Sequence, residues 1–250
     1  MIGRKSSREI ERMRRAGSVV AEALALCERL AVPGVTTAEM DAEVEALIRE
    51  RKGVPLFKGY RGYPASICAS VNDEVVHGIP GPRTLTDGDI VSIDIGVRLD
   101  SYCGDAARTF PVGDVSAEAH KLMDVCRTGL ERGIAVIEPG MRMSKLSRAI
   151  QTYVEANGCS VVRQYTGHGI GREMHEDPQV PNFVAPGLAD PKLPEGAVLA
   201  IEPMVNAGKA AVKVLANGWT VVTKDRSLSA HFENTVAIRK DGADILTAIR

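Results

Sequence analysis

Two stretches of this chain repeat one pattern at an offset of 106 residues, and the repeat limits its folds more than any other feature. Val35, Met40, Val44 and Ile48 follow Pro33-Gly34, while Met141, Leu146, Ile150 and Val154 follow Pro139-Gly140. Both sets step at helical spacing, so each builds one apolar helix face. Ser6 with Glu9, and Thr36 with Glu39, have capping-box spacing, which predicts two helices in the first 52 residues. A matching helix is predicted over Met141 to Asn157, with Gly158 as its cap. Two readings stay open: a pair of amphipathic helices with similar lead-in turns, or an internal duplication that would place a site between two pseudo-symmetric halves.

Between the helical stretches the apolar period changes. Ile90 to Val97, Tyr102 to Phe110, Ala197 to Val205, Ala211 to Leu215, Trp219 to Thr223 and Ser229 to Ile238 are predicted strands. Several are joined by short turns, which favours antiparallel pairing. The expected architecture is α+β, with helices in pairs packed on one curved, mostly antiparallel sheet. No Gly/Ser linker interrupts the chain, so residues 1–250 are expected to form one domain.

Bulk properties exclude several function classes. With 31 basic and 32 acidic residues, the formal charge of -1 gives no electrostatic reason for a nucleic-acid or membrane partner. The charged N-terminal stretch lacks the apolar core of a signal peptide, and no apolar run approaches the roughly 18 residues of a membrane span. Cys27, Cys68, Cys103, Cys126 and Cys159 are scattered, odd in number and without a CxxC pair. Reduced thiols and a cytoplasmic location are expected, and a zinc ribbon is excluded.

The segment from Asp94 to Asp105 carries the strongest chemical signal. A tight turn centred on Leu99-Asp100 would set the two aspartates directly opposite each other, with Cβ atoms roughly 4.5–5.5 Å apart. Two like charges at that distance need a cation between them or a proton on one of them. A bulge would shift the register, and a solvated strand face is the plainer alternative. Two carboxylates without a thiolate favour hard or borderline divalent ions. His168 stands between glycines in Thr166-Gly-His-Gly-Ile-Gly171, where backbone can approach a ligand closely. His175 and His77 lie in similar loop settings, and each of the three histidines, taken alone, is more often structural than a ligand. Glu202 ends an apolar run before Pro203, and Glu233 lies within a predicted strand. Each is either a ligand or a strand residue turned to solvent.

Six ordered motifs then carry a family resemblance. They are Gly59-Tyr-Arg-Gly-Tyr-Pro64; Asn72 to Pro80; Ile93-Asp94 with Gly104-Asp105; Gly167 to Gly171 through Val180; Ile201-Glu-Pro-Met-Val-Asn206; and Thr223 to Ala230 through Glu233. Together they resemble the type I methionine aminopeptidases of peptidase family M24, in the short bacterial form. The resemblance implies the pita-bread fold, with two related halves around a central site. It implies five metal ligands, Asp94, Asp105, His168, Glu202 and Glu233, with Asp105 and Glu233 shared between two ions. It implies that His77 and His175 contact substrate around the scissile bond. Phe57, Tyr60, Tyr63, Cys68, Met174 and Trp219 would form the methionine pocket.

The implied reaction is removal of the initiator methionine from nascent proteins and peptides whose second residue is small. Water activated by the ions would attack the methionine carbonyl, with Glu202 shuttling its proton. The ions would be Co, Mn, Fe, Zn or Ni. Nascent N-termini are the implied partners, with the ribosome as a further one, and the short members are usually monomers. Two positions depart from the pattern: Met174 stands where relatives often carry an aromatic residue, and Phe57 where some carry cysteine. The N-terminal zinc-binding extension of longer eukaryotic forms is expected to be absent. Three rival readings are an X-Pro aminopeptidase of the same fold, a non-catalytic ribosome-associated module, and plain surface charge.

Overall fold

In the computed structural model, residues 2–248 are described. Helix α1 (Ser7–Leu30) opens on a complete capping box: the Ser6 side chain caps the Glu9 N–H, and the Glu9 carboxylate returns to the Ser6 N–H. Helix α2 (Thr37–Glu50) repeats the device with Thr36 and Glu39. Helices α3 (Ala117–Ala135) and α4 (Met143–Ala156) form the second pair. The expectation for α4 is met within two residues at its start.

The duplication is real. Met40, Val44 and Ile48 of α2 and Leu146, Ile150 and Val154 of α4 are all fully buried. The turns before both helices share one hydrogen-bond pattern. Gly34 N–H donates to Leu85 O and Leu85 N–H returns to Val35 O; Gly140 N–H donates to Leu193 O and Leu193 N–H returns to Met141 O. Thr37 N–H to Arg83 O matches Met143 N–H to Pro191 O. Isolated bridges pair Thr36 with Thr84 and Arg142 with Lys192. Each half also has its own core. Helices α1 and α2 pack on Ile67, Val71, Ile93 and Ile95, whereas α3 and α4 pack on Leu199, Ile201, Val205 and Val236. The chain thus folds as two like units whose strands meet edge to edge, the α+β pita-bread arrangement. No helix among the described residues is long and apolar enough to cross a membrane.

The predicted single sheet is divided into four antiparallel parts among the described residues. Two of the predicted strands are each broken in two. Val198–Ile201 stops at Glu202, and Met204–Asn206 restarts in a different sheet. The cause is Pro203, which has no N–H to continue a ladder. The long strand expected over Ser229 to Ile238 becomes Ser229–His231 and Asn234–Arg239. The first piece pairs with Met204–Asn206 and the second with Val198–Ile201, so both strands switch sheets at the same level. Glu202 and Glu233 sit at these two breaks.

Candidate metal centre

The first half supplies its carboxylates from the hairpin of Ile90–Leu99 and Tyr102–Pro111. Its register corrects the expected one. The turn residues are Asp100 and Ser101, with φ of 49° and 66°, so Leu99 pairs with Tyr102. A two-residue turn with both central φ positive suits Asp far better than Leu. Asp94 therefore lies opposite Ala107, and Asp105 opposite Gly96. The two aspartates are diagonal neighbours on one face rather than a direct pair. Gly96 has its own reason to lack a side chain, because a Cβ there would meet Phe57 Cε1 at 2.8 Å.

The second half supplies His168, Glu202 and Glu233. His168 lies in the short strand Gly167–Gly169, flanked by glycines because neighbouring backbone leaves no room. A Cβ at Gly167 would collide with Ala200 O, and one at Gly169 with Asp177 O. His168 Nδ1 lies 2.9 Å from Gly169 O and must donate to it. Nε2 is then a bare acceptor. It faces Glu202 Oε1 at 3.6 Å and Asp105 Oδ2 at 3.9 Å. An imidazole lone pair directed at two carboxylates is unfavourable unless a cation lies among them or a carboxyl carries a proton.

The remaining electrostatics agree. Ligand atoms of Asp105, His168 and Glu233 all lie within 4.8 Å of one another. Asp94 Oδ1, Asp105 Oδ1 and Glu233 Oε1 are buried without a hydrogen-bond partner, an arrangement that costs free energy in an empty protein. Burial, followed by neighbouring carboxylates, pushes Asp105, Glu202 and Glu233 well above the usual carboxylate range. Burial pushes His168 down to about 4, so it is neutral and available as a ligand. All of these features fit hard or borderline divalent cations.

The carboxylates floor a cavity of about 380 Å³. Every residue singled out from the sequence lines it: Asp94, Asp105, His168, Glu202, Glu233, His77, His175, Phe57, Tyr60, Tyr63, Cys68, Met174 and Trp219. One wall is apolar, with Phe57, Tyr63, Cys68 and Met174 packed together as a buried cluster. Met174 and Phe57, the two departures from the family pattern, therefore keep this wall apolar. Trp219 stands nearly perpendicular to Tyr63, with ring centroids 5.1 Å apart. Tyr63 is locked by its hydroxyl, whose single proton is shared between Ile67 O and Gly78 O at 3.0 and 2.8 Å. His175 is held by Tyr60, whose hydroxyl lies 3.0 Å from Nδ1.

Sequence reasoning missed three side chains. Arg61 also lines the cavity. His231 is buried, its Nε2 has no hydrogen-bond partner, and that atom lies 3.8 Å from Glu202 Oε2. Its alternation with Glu233 along one strand was the available signal. Arg108 reaches the backbone of Glu233, and nothing local in the sequence points to that contact.

The model of metallopeptidase family M24 matches residues 11–240. A methionine aminopeptidase of Clostridium acetobutylicum is 54% identical over 248 residues, covering 99% of each chain. The crystal structure of methionine aminopeptidase from Rickettsia prowazekii superposes with a TM-score of 0.96 at 40% identity, over 99% of this chain and 100% of that one. The prolidase of Pyrococcus horikoshii shares the fold, with a TM-score of 0.78 at 21% identity, over 99% of this chain but 64% of its own.

Proposed function

This chain belongs to metallopeptidase family M24, and on that premise we propose that it removes the N-terminal methionine from nascent proteins and peptides whose second residue is small. Asp94, Asp105, His168, Glu202 and Glu233 hold two divalent ions, drawn from Co, Mn, Fe, Zn or Ni. The observation that carries this reading is the bare His168 Nε2 facing Asp105 and Glu202 at the floor of an apolar-walled cavity. When bound, the ions supply Lewis acidity and a water that ionises near neutral pH.

The chain's own groups do the rest. Phe57, Tyr63, Cys68, Met174 and Trp219 take the unbranched thioether side chain, which suits a deep apolar slot. Glu202 receives the proton of the attacking water and delivers it to the leaving amine. Tyr60 donates its hydroxyl proton to His175 Nδ1, which leaves Nε2–H of His175 to stabilise the developing oxyanion. His77 contacts the scissile amide nitrogen. Burial pushes His77 down to about 4, so it acts as a neutral ring. Such a pocket separates side chains differing by one methylene by only about 1–3 kcal/mol, so slow turnover of close analogues is expected.

The protein acts as a monomer in the cytoplasm, on chains leaving the ribosome, with no nucleic-acid substrate and no membrane association. The test is hydrolysis of Met-Ala-Ser and Ala-Pro-Ala after chelation and re-addition of each metal, with Asp94→Asn as control. The reading requires metal-dependent cleavage of the first peptide only. Full activity of Asp94→Asn would sink the site assignment, and preference for Ala-Pro-Ala would make the protein an X-Pro aminopeptidase.

A further inference from the structure

Glu233 sits at a gap in the hydrogen-bond ladder. Residues 232 and 233 lie between the strands Ser229–His231 and Asn234–Arg239, so Glu233 belongs to neither ladder. Its N–H instead donates to Ala107 O at 2.9 Å. Its carbonyl accepts from Nη1 of Arg108. The same Nη1 donates to Ala107 O at 2.7 Å, and Nη2 donates to Asn234 Oδ1, also at 2.7 Å. Arg108 thus grips both ends of the gap with one planar fork.

Hydroxyl rungs secure the flanks. Thr235 Oγ1 accepts from Asp105 N–H at 3.0 Å and donates to Asp105 O at 2.8 Å. Thr109 Oγ1 accepts from His231 N–H at 2.9 Å and donates to His231 O at 3.0 Å. Neither rung serves the Glu233 carbonyl. All of Arg108's hydrogen bonds among the described residues go to neutral oxygens, while its charge also faces the Glu233 and Glu131 carboxylates, so Arg108→Lys, which keeps that charge, separates the fork from the charge.

We propose that Arg108 is a positioning residue for Glu233: its guanidinium supplies the donor that no ladder gives the Glu233 carbonyl, and so holds the Glu233 carboxylate where Asp105 and His168 can share a cation with it. The inference rests on the reading of Glu233 as a metal ligand. Groups that orient metal ligands typically matter about 10–100-fold in metal affinity. A residue that only supports the fold would change stability and leave affinity alone.

The test is equilibrium dialysis of the full-length, metal-free protein against Co²⁺, with circular-dichroism melts in chelator alongside. Arg108→Met keeps bulk and removes every donor. Arg108→Lys keeps the charge and replaces the fork with a point donor. Arg108→Met should weaken Co²⁺ binding about 10–100-fold while still melting cooperatively in chelator. Arg108→Lys should fall between it and the unaltered protein. The proposal is overturned by a folded Arg108→Met whose Co²⁺ affinity stays within about twofold, because losing a group that orients a ligand weakens binding at least about tenfold. It is equally overturned if both variants are unfolded in chelator, since Arg108 would then be serving the fold. Glu233→Gln separates the two ideas. If it binds Co²⁺ like the unaltered protein, the ligand reading has failed. If it weakens binding while Arg108→Met does not, only the role of Arg108 has failed.

Discussion

Replacing Asp94 with Asn should stabilise the metal-free protein and lose most of that advantage once metal is supplied. Burial is the main reason that the Asp94 carboxyl is raised from its ordinary 3.8 to about 7. Its Oδ1 is buried without a partner. At roughly 1.4 kcal/mol for each pH unit of that rise, the ionised carboxylate costs about 4 kcal/mol at most. Because the folded value lies above the unfolded one, stability from this group is intact below about pH 4 and lost as pH rises through about 7. Asn keeps the shape and removes the charge. In chelator at pH 8, Asp94→Asn should therefore melt higher, by on the order of 5–15 °C for a chain of this size. With Co²⁺ that advantage should shrink towards zero, because a ligand present at about 1,000 times its Kd adds roughly 4 kcal/mol to the unaltered protein and less to the variant. Scanning calorimetry at pH 5 and pH 8, with and without Co²⁺, checks both the gain in chelator and its loss with metal. A lower melting temperature for Asp94→Asn in chelator at pH 8 would refute the reasoning.

Three further outcomes are expected. Gly104→Ala places a Cβ 2.7 Å from Gly17 N and 2.9 Å from Gly17 Cα, where helix backbone cannot yield; it should cost about 1–3 kcal/mol, seen as a lower denaturation midpoint, and an unchanged midpoint would show that α1 moves freely on the hairpin. Thr36→Ala breaks the capping box of α2, in which Thr36 Oγ1 accepts from Glu39 N–H at 3.2 Å, and should cost about 1 kcal/mol by urea titration. Glu45 is held down at about 2, chiefly by Lys58 and then Arg49, so its contribution is present above the usual glutamate range and lost as pH falls through about 2. Glu45→Gln should therefore flatten the fall in melting temperature between about pH 4.5 and pH 2, and an unchanged acid limb would count against the ion-pair assignment.

Local chemistry made much of this legible in advance. The helices announced themselves through capping boxes and apolar stripes, and the hairpin through its two aspartates. The hairpin register did not, because it depends on whether Leu99 or Ser101 can take a left-handed backbone. The break at Glu202 did have a local signal in Pro203, whereas the break at Glu233 carries no proline, and periodicity cannot see a strand leaving one sheet for another. His168, Glu202 and Glu233 became compelling only when the motifs were taken together; singly, each suited an ordinary strand or loop. Arg108 could not be read at all, since its partner Glu233 is 125 residues away.

The two halves divide the proposed ligand set in a way that bears on how such a centre could be lost. Asp94 follows Leu85 at the spacing at which Glu202 follows Leu193, and Asp105 and Glu233 approach from opposite sides of one seam. Neither half alone has the full set of donors. Rigid-body slippage of one half against the other by less than an ångström would change several ligand distances at once while leaving both hydrophobic cores intact. The seam, rather than either core, is where the fold can fail in function before it fails in structure.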